Sequence, residues 1–170
     1  KTGHESKVYP NFAEKKFSMP LKETQLEEQN LEILEGKDKK EFLKGAEIAY
    51  ETILTSFANG DLIKLKSLLS PNMFSNFSDA IKSRNKDGIK SEFTFVGVKE
   101  SSVEKYEKIK DNLFATVKFV AEVISVKKDK DDKIIEGNPD KIKFVTDSWK
   151  FTRNIKQKDL KWYLSEIISK

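Results

Sequence analysis

Between Phe42 and Asp61 the apolar residues recur at helical spacing. Phe42, Ala46, Ala49, Ile53 and Phe57 draw one stripe, and Lys44, Glu47 and Glu51 fall off it. The pattern predicts an amphipathic helix that must bury one face against something. Asp38 followed by Glu41 makes a capping-box-like start, and Gly60 supplies a left-handed stop. Asp61 then opens a short second helix carrying Leu62, Leu65, Leu68 and Leu69. Ser70 at an N-cap and Pro71 at the first helical position start a third, with Phe74, Phe77 and Ile81 on its stripe and an end near Gly88.

From Ser91 the period changes to two. Phe93 and Phe95 share one face, Thr94 and Val96 the other, and Gly97 marks a bulge. The run Leu113 to Val126 sets Leu113, Ala115, Val117, Phe119, Ala121 and Val123 on one side and Thr116, Lys118, Val120 and Glu122 on the other, which predicts a long half-buried strand. Lys127 to Lys133 reads as a charge-dense, solvated hairpin tip, extended by Gly137, Asn138 and Pro139. Ile142 to Arg153 and Leu160 to Ile168 read as a final hairpin, with Trp149 and Phe151 on one strand face and Trp162 and Leu164 on another. Helices followed by long antiparallel strands predict an α+β domain whose helices pack on one face of a curved sheet.

Upstream, Lys1 to Pro20 has scattered aromatics and two prolines without a sustained period, the signature of a linker or arm. Leu21 to Glu35 places Leu26, Leu31, Ile33 and Leu34 among many acids, which predicts a short amphipathic helix. The organisation that follows is an arm with a short helix over 1–37 and one α+β domain over 38–170. No internal repeat or low-complexity tract interrupts it.

Three stretches carry a resemblance: FLKGAEIAYETILTSFANGD (Phe42 to Asp61), VTDSWKFTRN (Val145 to Asn154) and KWYLSEI (Lys161 to Ile167). Together they resemble the Tim44-like family, which contains the import-motor scaffold of the mitochondrial inner membrane, bacterial relatives and a mitochondrial ribosomal relative. The resemblance implies a cone-like fold of the nuclear-transport-factor-two type, with sheet and helices enclosing an apolar pocket. It also implies that Leu26, Leu31, Ile33 and Leu34, in the N-terminal helical segment, contact membrane or partner proteins. This copy of the segment is acidic where a lipid-binding helix would carry lysine. KTGHE, Lys1 to Glu5, resembles the polar stretch after the N-terminal transmembrane anchor of bacterial members, and the chain lacks an initiator Met. An anchor upstream of Lys1 is one expectation; a boundary without such meaning is the other.

Composition changes this picture little. The 170 residues suffice for one domain with a real core, and aromatics at 11% argue for a packed interior despite a charged fraction of 35%. Lys and Arg total 32 against 28 acids, with no basic cluster, and Arg84 and Arg153 are the only arginines. A nucleic-acid face is therefore not favoured, although the pI near 9.0 leaves anionic lipid surfaces open. The chain has no cysteine, so disulfides, thiolate metal sites and cysteine nucleophiles are excluded. No apolar run reaches the roughly 20 residues that span a bilayer as a helix.

Catalytic chemistry is sparse. The single histidine, His4, lies in the arm, and the glycines stand singly at turns rather than in a phosphate-binding loop. Asp129, Asp131 and Asp132 lack the glycine and terminal glutamate of a calcium-binding hand, so no metal site and no cofactor are expected. Asp147, beside Trp149, is the best candidate acid. A structural ion pair with Arg153 or a lysine explains it more simply than a reaction does. No catalytic residue is assigned. Phe93, Phe95, Phe119, Phe144, Trp149, Phe151 and Trp162 read first as core, and as the candidate lining of a pocket for an acyl chain or an apolar partner segment.

The reading is a non-enzymatic, membrane-associated adaptor. By resemblance it serves protein translocation at an inner membrane, with lipids, anionic ones included, and translocation machinery or a chaperone as partners. A small-ligand binder or pocket enzyme of the same fold is the alternative, distinguished by whether Asp147 stands unpaired in a pocket. Ribosome association is a lesser one.

Overall fold

The computed structural model describes residues 36–168. The predicted arm and short helix, with Leu26, Leu31, Ile33 and Leu34, lie outside these residues. The described chain runs α1 (Gly36–Asn59), α2 (Leu62–Leu68), α3 (Pro71–Lys86), β1 (Lys90–Ile109), β2 (Asn112–Lys128), β3 (Ile134–Gly137), β4 (Lys143–Asn154) and β5 (Tyr163–Ile168). The strands form one antiparallel sheet in the order β1-β2-β4-β5, with β3 paired to the end of β2. The predicted α+β class holds: three helices lie on one face of a curved sheet.

Local chemistry explains most boundaries. The Asp61 side chain accepts from the Lys64 amide to cap α2, and the Ser70 hydroxyl accepts from Met73 at the head of α3, where Pro71 supplies the first helical residue. Gly60 and Gly88 stop α1 and α3 with φ of +70°. The start of α1 differs from expectation. The helix begins at Gly36, so Asp38 lies within its first turn, where its charge still favours the positive end of the helix dipole.

The inward face of β2 is the predicted one: Leu113, Ala115, Val117, Phe119, Ala121 and Val123 are all buried. β1 continues far beyond the Gly97 bulge that the sequence marks. Its register shifts at Phe95/Gly97, Val98/Glu100 and Val103/Lys105. Each shift adds one residue and restores the inward face, so Phe95, Val98, Ser101, Val103 and Tyr106 lie opposite Val123, Ala121, Phe119, Val117 and Ala115 in turn. The solvated tip over 127–133 is also shorter than expected. β2 runs to Lys128, and Ile134–Gly137 forms β3, every residue of which is exposed.

The core lies between α1 and the middle of the sheet. Tyr50 stacks on Phe119 with centroids 4.3 Å apart and tilts against Trp149 at 4.6 Å. Ile53, Leu54, Leu65, Phe77 and Leu164 close around them, all essentially without exposure. β5 is tied to the helices through the Ser70 amide, which donates to the Leu164 carbonyl at 2.9 Å.

Candidate functional site

The helix α1 has two working faces. Tyr50, Ile53, Leu54 and Phe57 point into the core, while Phe42, Gly45, Ala49 and Thr52 form a second row one helical face away. That second row walls a groove of about 610 Å³, within the range of roughly 300–1,000 Å³ usual for ligand sites. Tyr106, Leu113, Phe151 and Arg153, from the end of the sheet, line it as well, as do Leu160, Lys161 and Trp162 from the segment before β5.

A Cβ built at Gly45 would meet nothing within 4 Å, and Ala115 sits between Tyr106 and Phe151 across three paired strands. The Trp162 ring packs edge-on against Phe42 at 5.1 Å. Two large apolar side chains among the lining residues are turned to solvent, Ile48 at 59% exposure and Leu160 at 76%.

Within this apolar setting stand two polar groups. The Tyr106 hydroxyl and the Arg153 Nε are buried and have no hydrogen-bond partner. Burial raises the Tyr106 phenol above its ordinary pKa, and the nearby Arg153 charge partly opposes that rise. Asp38, Glu41 and Lys161 also line the groove, so both signs of charge surround it.

The seven aromatics singled out in the sequence do not gather here. Phe151 and Trp162 line the groove. Phe119 and Trp149 are fully buried in the core, and Phe93 and Phe95 pack half-buried against it. Phe144 is a correction: it is 47% exposed on the outer face, with the Lys99 ammonium 4.9 Å from its ring. The two-residue period of β4 puts Val145, Asp147, Trp149 and Phe151 inward and turns Phe144 outward.

Asp147 is set apart from Arg153, one of the ion-pair partners expected for it. It is buried at 6% exposure and accepts a 2.5 Å hydrogen bond from Tyr50 of α1, while Arg153 lies three inward positions further along β4 at the groove. Asp147 does not line the groove. Of the acidic loop, Asp129 accepts from the Asp131 and Lys133 amides, and Asp132 pairs with Lys90 at 2.8 Å. Among the described residues no three His, Cys, Asp or Glu side chains come together as metal ligands, and no helix is long and apolar enough to cross a membrane.

A second cavity of about 520 Å³ lies where α2 and α3 meet the β4–β5 hairpin, lined by Leu69, Pro71, Phe74 and Tyr163 with Asn112, Thr152 and Gln157. Its polar groups are largely engaged: Asn154 donates to Asn112, Thr152 shares a hydrogen bond with Ser165, and Gln157 accepts from the Asn154 amide.

Sequence reading missed Tyr106 as a lining residue because the β1 bulges hide its face. It met Arg153 only as a possible partner for Asp147. Gly45 could have been noticed in the sequence as a glycine inside a strongly periodic helix, where it costs stability relative to alanine.

Comparison with known proteins gives three findings. The model of the Tim44-like domain matches residues 28–169. No curated protein matches the chain. Among solved structures, the intermembrane space region of the chloroplast protein ARC6 superposes with a TM-score of 0.51 at 12% identity, covering 75% of this chain and 97% of that one. A de novo designed β-sheet protein gives a TM-score of 0.32 at 12% identity, over 76% of this chain and 87% of the design.

Proposed function

The chain belongs to the Tim44-like domain family, and from that premise we propose that it is a non-enzymatic adaptor domain that works at a membrane, in the service of protein translocation. The observation that carries this reading is the groove along α1. It is open and mostly apolar, and Ile48 and Leu160 stand exposed beside it. A concave, mostly apolar surface with exposed apolar side chains beside it suits the seating of another molecule. Lipid acyl chains or an apolar segment of a partner protein are the occupants that suit it, and anionic lipids suit a chain of net charge +4.

The position of Asp147 supports a binding role over an enzymatic one. A general acid or base must reach its substrate. This carboxylate instead lies in the core against Tyr50, away from the groove. The dispersed lysines likewise give no support to ribosome association.

Flotation with vesicles tests the proposal. The chain is expected to float with vesicles of anionic phospholipid, and the double substitution Ile48→Ser with Leu160→Ser is expected to weaken flotation several-fold. Undiminished flotation of that variant would move the membrane contact away from the groove. Flotation of neither protein would leave an anchor outside this chain, or a protein partner, as the means of attachment.

A further inference from the structure

We infer that the groove holds the carboxylate of a long-chain fatty acid, its hydrocarbon lying along α1 and its head on the Tyr106 hydroxyl and the Arg153 guanidinium. The inference rests on reading the groove as a seat for apolar chains, and adds the chemistry of the head.

Two observations lead there independently. The first is the pair of orphaned donors. Tyr106 is only 9% exposed, yet its hydroxyl is unpartnered, as is the buried Nε of Arg153. A buried donor without an acceptor is unfavourable and uncommon, so two such donors just behind the wall of one groove, on residues that line it, call for a ligand that accepts once their side chains turn toward it. A guanidinium favours a planar anionic acceptor, and a phenol adds a second donor to the same group. The strand register fixes this arrangement. Tyr106 and Phe151 flank Ala115, and Arg153 follows one inward position later on β4, beside Leu113.

The second observation is what the walls do not offer. Phe42, Ala49, Leu68 and Trp162 present hydrocarbon and rings. The main chain behind most of the lining is committed to the helical bonds of α1 and to the ladders joining β1, β2 and β4; what is left is the first turn of α1, the outer edge of β1 and the short segment over 160–162. A peptide laid here would bury amides with few partners. An alkyl chain has none to satisfy. This favours a fatty acid over the C-terminus of a protein, which ends in the same carboxylate.

The test is titration of the whole chain with dodecanoate below its micelle concentration, followed by calorimetry and by tryptophan emission. Trp162 lines the groove and Trp149 is buried in the core, so the emission change should disappear in Trp162→Phe. Dodecanoate is expected to bind at least tenfold more tightly than dodecanol, the difference that one charge-assisted hydrogen bond makes. Arg153→Met should erase that preference. Tyr106→Phe should weaken dodecanoate about tenfold and leave the denaturation midpoint of the free protein unchanged or higher, because it removes a group with no partner. A merely structural tyrosine would lower that midpoint, and the Tyr106→Phe arm stands alone if Arg153→Met does not fold.

Equal affinity for acid and alcohol overturns the head-group assignment and leaves the apolar groove standing. Binding of neither overturns the groove reading itself. Binding of an apolar peptide through its free C-terminus, without binding of dodecanoate, overturns the fatty acid in favour of a protein partner.

Discussion

Asp147 is a carboxylate set among aromatic rings, and Tyr50 reaches it from a different layer of the fold. The phenol does two things: its ring packs between Phe119 and Trp149, and its hydroxyl donates to the Asp147 carboxylate. Tyr50→Phe keeps the first and deletes the second. The substitution is expected to cost about 1–3 kcal/mol, the usual penalty for leaving a buried acceptor short of a donor. The readout is a lower urea midpoint at an unchanged slope. An unchanged midpoint would mean that other contacts sustain the carboxylate. This hydroxyl was not legible in the chain, because Tyr50 falls beside the stripe drawn through Ala46, Ala49, Ile53 and Phe57. A single stripe cannot describe a helix that is covered on two sides.

At the level of elements, legibility followed regularity. β2 alternates without interruption, and its inward face could be read from period alone. β1 does not. Its inward residues Phe95, Val98, Ser101, Val103 and Tyr106 are spaced by three, three, two and three, which neither a strand period nor a helix period matches. The bulges that cause this become visible only when the partner strand is in place, so the tyrosine of the candidate site stayed hidden. Arg153 lay in a readable strand, but nothing in the sequence said that Tyr106 would share its groove. The small strand β3 depends on one residue. At Gly137 φ is +88° and an added Cβ would lie 1.9 Å from the Ser125 carbonyl oxygen. Gly137→Ala should therefore release β3 from β2, seen as faster amide exchange over Ile134–Gly137 with the exchange of core amides unchanged. Equal protection in β3 would mean that the backbone can shift to admit the methyl group.

For the whole molecule, the two faces of α1 link groove to core. A ligand seated in the groove touches the same helix that carries Tyr50, Ile53 and Phe57 on its other side. Binding to the folded state alone stabilises it by about 2.7 kcal/mol at a ligand concentration of 100 Kd. Dodecanoate at that concentration should thus raise the melting temperature of the chain by several degrees, and Arg153→Met, at tenfold weaker affinity, should lose about half of the increment. A shift of the same size in both proteins would assign the stabilisation to the hydrocarbon alone.

The hydrogen bond from Tyr50 to Asp147 joins positions 97 residues apart. Synthesis runs from the N-terminus, so α1 leaves the ribosome with its apolar side bare; Phe77 of α3, Phe95 of β1 and Phe119 of β2 can cover part of it, and Trp149 and Asp147 of β4 complete the cover last. Closing so long a loop is slow on the scale of helix formation, which places this domain among chains whose folding is limited by distant pairings rather than by local structure. During that wait the nascent helix is itself a hydrophobic surface, and its protection falls to whatever meets the growing chain first.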